Sequence, residues 1–507
     1  MAIKINTACF TGIEGTIVTV EIDISYGLPA FNIVGLADTA VKESKERVRA
    51  AIINSGFDFP ISRITINLAP ADLKKDGSQF DLPIAIGILL ASNQINTKEI
   101  SDYLILGELS LSGELKAIRG ALSIAIEGLN SGINKLILPN ENYKECAVLQ
   151  GIEMYTFAKL KQVVSYLENR DMLPDGQLVY NDKEINFDVD FEDVIGIESA
   201  RRAIEVAAAG GHNIIMFGPP GSGKTMLAQR IPTILPKLNY DEALEVTRIY
   251  SVSGNLNKDQ GLILTRPFRS PHHSSSHAAL IGGGRKLMPG EISLAHNGVL
   301  FLDEILEFKK DVLEVLRQPL EERQIKLSRA NGNVNYPANF MLVAALNPCP
   351  CGYYGSGSKE CVCSDNDRRR YIGRLSGPLL DRIDIFMFVN TLSYKEVSSQ
   401  KTGEKSEVIR ARVERARELQ KERFKTDKIR SNAEMNQRQI KKYCKLDSKS
   451  SNLIEIVYNK MQLSNRAYSR ILKVARTISD LNGRESIEQS DIIEALQYRR
   501  FLDDKIV

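Results

Sequence analysis

Residues 218–225 read GPPGSGKT, which satisfies the pattern G-x-x-x-x-G-K-[S/T] at every position. Closely spaced glycines let successive backbone N–H groups turn toward phosphate oxygens, and a following helix N-terminus adds partial positive charge. Gly218, Pro219, Pro220, Gly221, Ser222 and Gly223 are therefore expected to cradle a nucleoside triphosphate, with the Lys224 ammonium on its β- and γ-phosphates and the Thr225 hydroxyl on Mg2+. Downstream, Gly298-Val299-Leu300-Phe301-Leu302 runs into Asp303-Glu304. An apolar strand that delivers two carboxylates at its C-terminal edge suits phosphoryl transfer to water: Asp303 completes the Mg2+ shell and Glu304 polarises the nucleophile.

A second constellation is Cys349-Pro350-Cys351, nine intervening residues, then Cys361-Val362-Cys363. Two close pairs of thiolates around a Gly/Ser/Tyr loop suit a tetrahedral structural Zn2+, although C-x-C is tighter than the common spacing; two disulfides or unligated thiols are the alternatives. His272, His273 and His277 could suggest a further zinc site, since the last two would share a helix face. Pro271 and the serine run argue for a loop instead, and no carboxylate or cysteine accompanies them. Arg285 and Lys286 in a glycine-rich insert, with Lys326 and Arg329 in an alternating segment, are candidates for phosphate contacts to a nucleic acid.

The elements that must position these groups are legible nearby. The apolar run 213–217 precedes the glycine loop and the helical pattern 226–230 follows it, which is the context a P-loop requires. Another apolar run, 340–346, ends at Asn347, and residues 324–336 form two alternating arms around Asn331-Gly332, a strong hairpin signal. Earlier in the chain Asp38 caps a helix whose Val41, Val48 and Ile52 recur at helical spacing, Ile64, Ile66 and Leu68 alternate as a half-buried strand, and residues 82–91 read as an apolar helix. Residues 135–139 read as a strand closing at a proline.

A chain of 507 residues exceeds one core and predicts about three domains. The expected division is a compact α/β domain over 1–168, a polar linker over 169–189, a nucleotide-binding core over 190–391 and a helical region over 392–507. The formal net charge of +3 leaves no global basic field, but residues 401–507 carry 25 lysines and arginines against 16 carboxylates, so a nucleic-acid face would be local. No apolar stretch has the length of a membrane span and the first residues carry no secretory signal, so a cytoplasmic location with no membrane partner is expected. Cys9, Cys146 and Cys444 stand alone, which fits reduced thiols.

Two resemblances extend this reading. The segments KKDGSQFDLPIA, GELKAIRGALSIAI and KLILPNEN resemble the peptidase domain of Lon-type proteases, which implies a Lon-peptidase-like (ribosomal S5 domain 2-like) α/β fold over 1–168. A Ser–Lys dyad needs a hydroxyl nucleophile and a lysine to take its proton. Alignment on that pattern places Gln79 at the serine position and Leu122 at the lysine position. A shift by one residue makes Ser78 the nucleophile without supplying the lysine, so the fold is expected without the peptidase.

The remainder resembles AAA+ ATPases. That likeness implies a parallel sheet with flanking helices and a C-terminal helical lid. It also implies adenine contacts from Ile195 and Gly196, a water-positioning Asn347, an arginine finger Arg382 reaching a neighbouring subunit, and a γ-phosphate sensor Arg466 with Arg470 as second choice. The motifs GPPGSGKT, RPFRSPHHSSSHAALIGGG, GVLFLDE, NPCPCG and SGPLLDRID, in this order, resemble the ComM/YifB family of magnesium-chelatase-like AAA+ proteins. The resemblance implies ATP and Mg2+ as cofactors, a homo-hexameric ring, and branch migration on single-stranded or branched DNA. Two other readings are a chelatase-like motor and a protein-remodelling ATPase whose N-terminal domain binds a polypeptide partner.

Overall fold

The computed structural model describes residues 2–97, 99–178, 187–257, 259–284, 286–329, 332–356, 359–391 and 402–505. Arg285, Asn331 and part of the expected linker lie outside the described residues, as does the side chain of Arg329. The chain divides into two units, one of Met1–Lys183 with Tyr240–Ile263, the other of Glu184–Asn239 with Leu264–Val507.

The strands of the first unit are β1 (Ile3–Thr11), β2 (Glu14–Ser25), β3 (Ala30–Val34), β4 (Arg63–Ala69), β5 (Tyr103–Ile105), β6 (Glu108–Leu109), β7 (Leu115–Lys116), β8 (Lys135–Pro139) and β9 (Glu153–Phe157). Seven of them form a mixed sheet in the order β3-β4-β2-β1-β5-β8-β9, while β6 and β7 pair as a small ribbon. β1 and β2 form an antiparallel hairpin, and β5, β8 and β9 continue in parallel from β1. Alternation predicts β4 correctly: Ile64, Ile66 and Leu68 are buried and the residues between them are not. Asp38 accepts from Val41 N and starts the helix Thr39–Asn54 as expected. The helix Asp81–Ala91 is buried on every side through Leu90, which explains an apolar sequence with no polar stripe.

Residues 240–263, placed in the nucleotide core by the sequence reading, group with the first unit instead. Within that unit Arg248 on the helix Tyr240–Ser253 donates to Ile13 O at 2.6 Å, and Tyr240 OH donates to Val148 O at 3.0 Å.

The second unit contains β10 (Ile214–Phe217), β11 (Phe268–Arg269), β12 (Gly282–Gly283), β13 (Met288–Pro289), β14 (Val299–Leu302), β15 (Gln324–Arg329), β16 (Gly332–Pro337), β17 (Met341–Leu346) and β18 (Ile385–Phe388). Five make a parallel sheet in the order β11-β14-β17-β10-β18. β10, β14 and β17 are buried along their whole length, as their unbroken apolar runs require. The helices Ser406–Arg423, Gln437–Tyr443, Ser448–Lys460, Asn465–Leu481 and Gln489–Lys505 share one apolar core with this sheet. Among the described residues no helix is long and apolar enough to cross a membrane.

Candidate active site

The P-loop joins β10 to the helix Lys224–Ile234, and Gly221 and Gly223 sit at φ +75° and +89°, where a Cβ would be strained. Lys224 folds back on the loop: Nζ donates to Gly218 O at 2.7 Å and Pro219 O at 2.9 Å, and lies 3.4 Å from Asn347 Oδ1 at the tip of β17. Burial brings its ammonium down to about 8 despite the carboxylates of Asp303 and Glu304.

At the tip of the neighbouring β14, Asp303 Oδ2 accepts from Thr225 Oγ1 at 2.7 Å, so the two expected Mg2+ ligands already meet. Glu304 adopts φ +49°, the left-handed region that non-glycine residues avoid. Its N–H donates to Asp303 Oδ1 at 3.0 Å and its carboxylate points outward, 3.9 Å from His273 Nδ1. His272 bonds Ser274 and His277 opens a short helix capped by Ser276, so the histidines sit on a loop and a helix start rather than around a shared ion. The position of His273 beside Glu304 was not legible in the sequence.

Ile195 and Gly196 are half-buried in the turn entering the helix Glu198–Gly210. That turn is tied to the P-loop helix, because Arg230 donates to Asp190 O and to Asp193 Oδ2, both at 2.7 Å.

The arginines divide. Arg382, expected to project toward a neighbour, turns inward with 7% exposure, its guanidinium held by the Glu321 carboxylate and the Pro378 carbonyl. A carboxylate within its own chain already holds this guanidinium, which is why the expected outward pose is absent. Arg466 is exposed and pairs loosely with Asp381 at 3.3 Å. Arg470, one turn later, is bonded to the buried Asp384 and is the more committed of the two.

Asp384 also lies 3.2 Å from His212 Nδ1, and His212 Nε2 lies 2.8 Å from Thr477 Oγ1 on the lid helix Asn465–Leu481. Burial alone would raise the Asp384 carboxyl, but Arg470 and His212 hold it well below its ordinary range. Burial lowers the His212 imidazole in turn. The sequence reading gave His212 and Asp384 no role; they form a buried polar joint between sheet and lid.

The two basic inserts meet. β12 and β13 pair around the glycine-rich insert, β15 and β16 form the expected hairpin, and Tyr336 OH from the hairpin donates to Leu287 O in the insert at 2.8 Å. Lys286 and Lys326 are exposed, Lys326 pairing with Glu322 at 2.8 Å. The hairpin register differs by one residue from expectation. Arg329 pairs with Gly332, so Gly332 belongs to the second arm.

Cys349, Cys351, Cys361 and Cys363 place their sulfurs within 4.8 Å of one another. The closest pairs are 3.3 and 3.6 Å apart, a little inside the edge of roughly 3.8 Å for a tetrahedron with bonds of about 2.3 Å. Tyr354 N also donates to Cys349 Sγ at 3.4 Å. Four converging sulfurs on a tight turn fit a thiolate-held Zn2+, which would pin residues 349–363 together.

Three family profiles match the chain: residues 190–397 match "Magnesium chelatase, subunit ChlI", residues 20–142 match "Subunit ChlI of Mg-chelatase", and residues 403–499 match "Magnesium chelatase, subunit ChlI C-terminal". The chain is 44% identical over 496 residues to the competence protein ComM of Haemophilus influenzae, covering 96% of this chain and 95% of that protein. It is likewise 44% identical over 497 residues to the YifB protein of Escherichia coli, covering 98% and 96%. A weaker likeness, 26% identity over 181 residues, joins 32% of this chain to 33% of Lon protease 2 of Bacillus subtilis.

Proposed function

The chain belongs to the ComM/YifB family of magnesium-chelatase-like AAA+ ATPases, and from that premise we propose that it is a DNA motor, a hexameric branch-migration helicase of the competence type. The observation that carries this reading is the joining of the two basic inserts through Tyr336 and Leu287 in the unit that also holds the P-loop. In a ring, Lys286 and Lys326, together with Arg285 and Arg329, would line the opening and grip phosphates without reading bases.

In this mechanism the backbone N–H groups of the P-loop and Lys224 bind the triphosphate, and Thr225 and Asp303 would hold a Mg2+ that offsets the phosphate charge. Glu304 takes the proton of the attacking water while Asn347 orients that water. Ile195 and Gly196 border the adenine, and Arg466 reads the γ-phosphate from the lid. Arg382 acts across the subunit interface, and to do so it exchanges Glu321 for the neighbour's nucleotide, which makes hydrolysis depend on assembly. The Lon-like fold of the first unit works without a peptidase dyad. Zn2+ would be held by Cys349, Cys351, Cys361 and Cys363 and supplies no step of the reaction.

Steady-state ATP hydrolysis with and without single-stranded and forked DNA tests the proposal. Stimulation by DNA that vanishes in Glu304→Gln is expected, and hydrolysis indifferent to every DNA tested would overturn the helicase reading.

One observation favours a second reading, a protein-remodelling ATPase. Tyr26, Leu28 and Ile61 are 104%, 89% and 87% exposed at one end of the first sheet, beside the Arg63 pairings with Ser25 and Ala30. An apolar tip of that kind suits a polypeptide partner of the first unit.

A further inference from the structure

The nucleotide loop and the cysteine cluster touch through one glycine. Gly352 follows Cys351 and sits at φ +84°, closing a turn in which its N–H donates to Cys349 O at 2.9 Å. A Cβ built on Gly352 would stand 2.7 Å from Cδ and 2.9 Å from Cγ of Pro220, inside the P-loop. The same turn begins two residues after Asn347, whose side chain lies 3.4 Å from Lys224 Nζ, and Gly218 N bonds Leu346 O at 3.3 Å. The phosphate loop therefore leans on the end of β17 at Gly218 and Lys224 and on this turn at Pro220.

We propose that the cysteine knuckle is a positioning element for nucleotide binding, in which a metal held by Cys349, Cys351, Cys361 and Cys363 sets the turn whose Gly352 backs Pro220 of the P-loop. This rests on the reading of the chain as an ATPase and adds the dependence of its phosphate loop on the knuckle. The physical reason is preorganisation. A P-loop binds phosphate with backbone N–H groups, so its affinity depends on how little that backbone must reorganise. Four thiolates drawn from two ends of a loop stay together only when a cation offsets their repulsion and the cost of loop closure. With the metal in place the 349–352 turn is fixed, Gly352 holds Pro220 from one side, and Asn347 is held at the strand tip. With the metal lost, the turn relaxes and the loop must be ordered at the expense of nucleotide affinity. Only glycine satisfies both constraints at position 352, the left-handed φ and the close ring.

The test measures zinc content and the Kd for a fluorescent probe, mant-ADP, on the full-length protein. Wild type is expected to carry a single zinc and bind the probe. Gly352→Ala retains all four cysteines and is expected to keep its zinc while losing about tenfold in affinity. Adding Pro220→Ala to Gly352→Ala removes the ring atoms that the new Cβ meets but not the left-handed φ, so part of the affinity is expected to return. Cys361→Ser should lose zinc and affinity together, while Val362→Ala, an exposed residue between two of the cysteines, should change neither. Wild-type affinity in both Gly352→Ala and zinc-free Cys361→Ser would overturn the proposal, as would a wild-type protein that carries no zinc. A zinc-loaded wild type that binds no nucleotide would instead bring down the ATPase reading on which the proposal stands.

Discussion

The tips of the parallel sheet and the loop and helix of the first unit that resemble a peptidase site use similar residue types to opposite ends. At the tips of β10, β14 and β17, Glu304 faces outward in a strained backbone, and the Asp303–Thr225 pair and Lys224 can exchange their present partners for phosphate and Mg2+. In the first unit the corresponding groups are consumed locally. Gln79, 4% exposed, donates to Asp76 O at 2.9 Å; the Ser78 hydroxyl is held by Glu108, the fully buried Lys75 ammonium by Pro70 O, and Leu122 is enclosed in the core. Backbone carbonyls hold both Lys75 and Lys224; what differs is that Lys224 lies in a glycine loop beside Asp303 and Thr225, whereas Gln79 and Leu122 stand where a peptidase site needs its nucleophile and base. Overall motif likeness does not separate the two cases; the identity of the residue at each reacting position does.

The sharpest way to break this contrast is Glu304→Gln, which should lower kcat for ATP hydrolysis about 1,000-fold while leaving mant-ADP binding nearly intact, read by phosphate release. A smaller change would mean that another group activates the water. Next, Asp384→Ala asks whether buried charge outside the phosphate site is structural. It strips Arg470 and His212 of their shared carboxylate, and a loss of about 3–5 kcal/mol is expected in the urea transition of the second unit.

The pH dependence of binding follows from Lys224, whose ammonium loses its proton near pH 8 in the free protein. Below that pH the cation is already present and binding takes up no proton. Above it the phosphates must recruit one, so mant-ADP affinity should fall by up to about tenfold per pH unit, measured by titration between pH 7 and about 10. The smallest effect belongs to the first unit: Ser78→Ala should leave ATP hydrolysis within about twofold of wild type, and neither protein should degrade casein. Casein cleavage lost in Ser78→Ala would make Ser78 a nucleophile in the shifted register and overturn the reading of the first unit as a fold without the peptidase.

Much of this contrast was legible because P-loop chemistry is local. Glycines, lysine and threonine act within eight consecutive residues, and β8 and β14 are bounded by the proline and carboxylates that end their apolar runs. What the sequence hid depends on distant partners. His212 meets Asp384 across 172 residues and Thr477 across 265, and no periodicity relates them. The inward turn of Arg382 depends on Glu321 being within reach, and the contact of Gly352 with Pro220 on the path of a loop between two strands. The helix Tyr240–Ser253 has an ordinary apolar face, which says that it packs on something but not that its partner is the helix Ala121–Asn130.

That helix has a consequence for how the protein is made. The first unit is not finished when residue 183 leaves the ribosome, because residues 240–263 belong to it and come later. The strand Ile214–Phe217, the phosphate loop and the helix after it are all translated in the interval. The nascent N-terminal unit therefore waits without the helix that packs on Ala121–Asn130, and its completion is timed by synthesis of the nucleotide loop rather than preceding it.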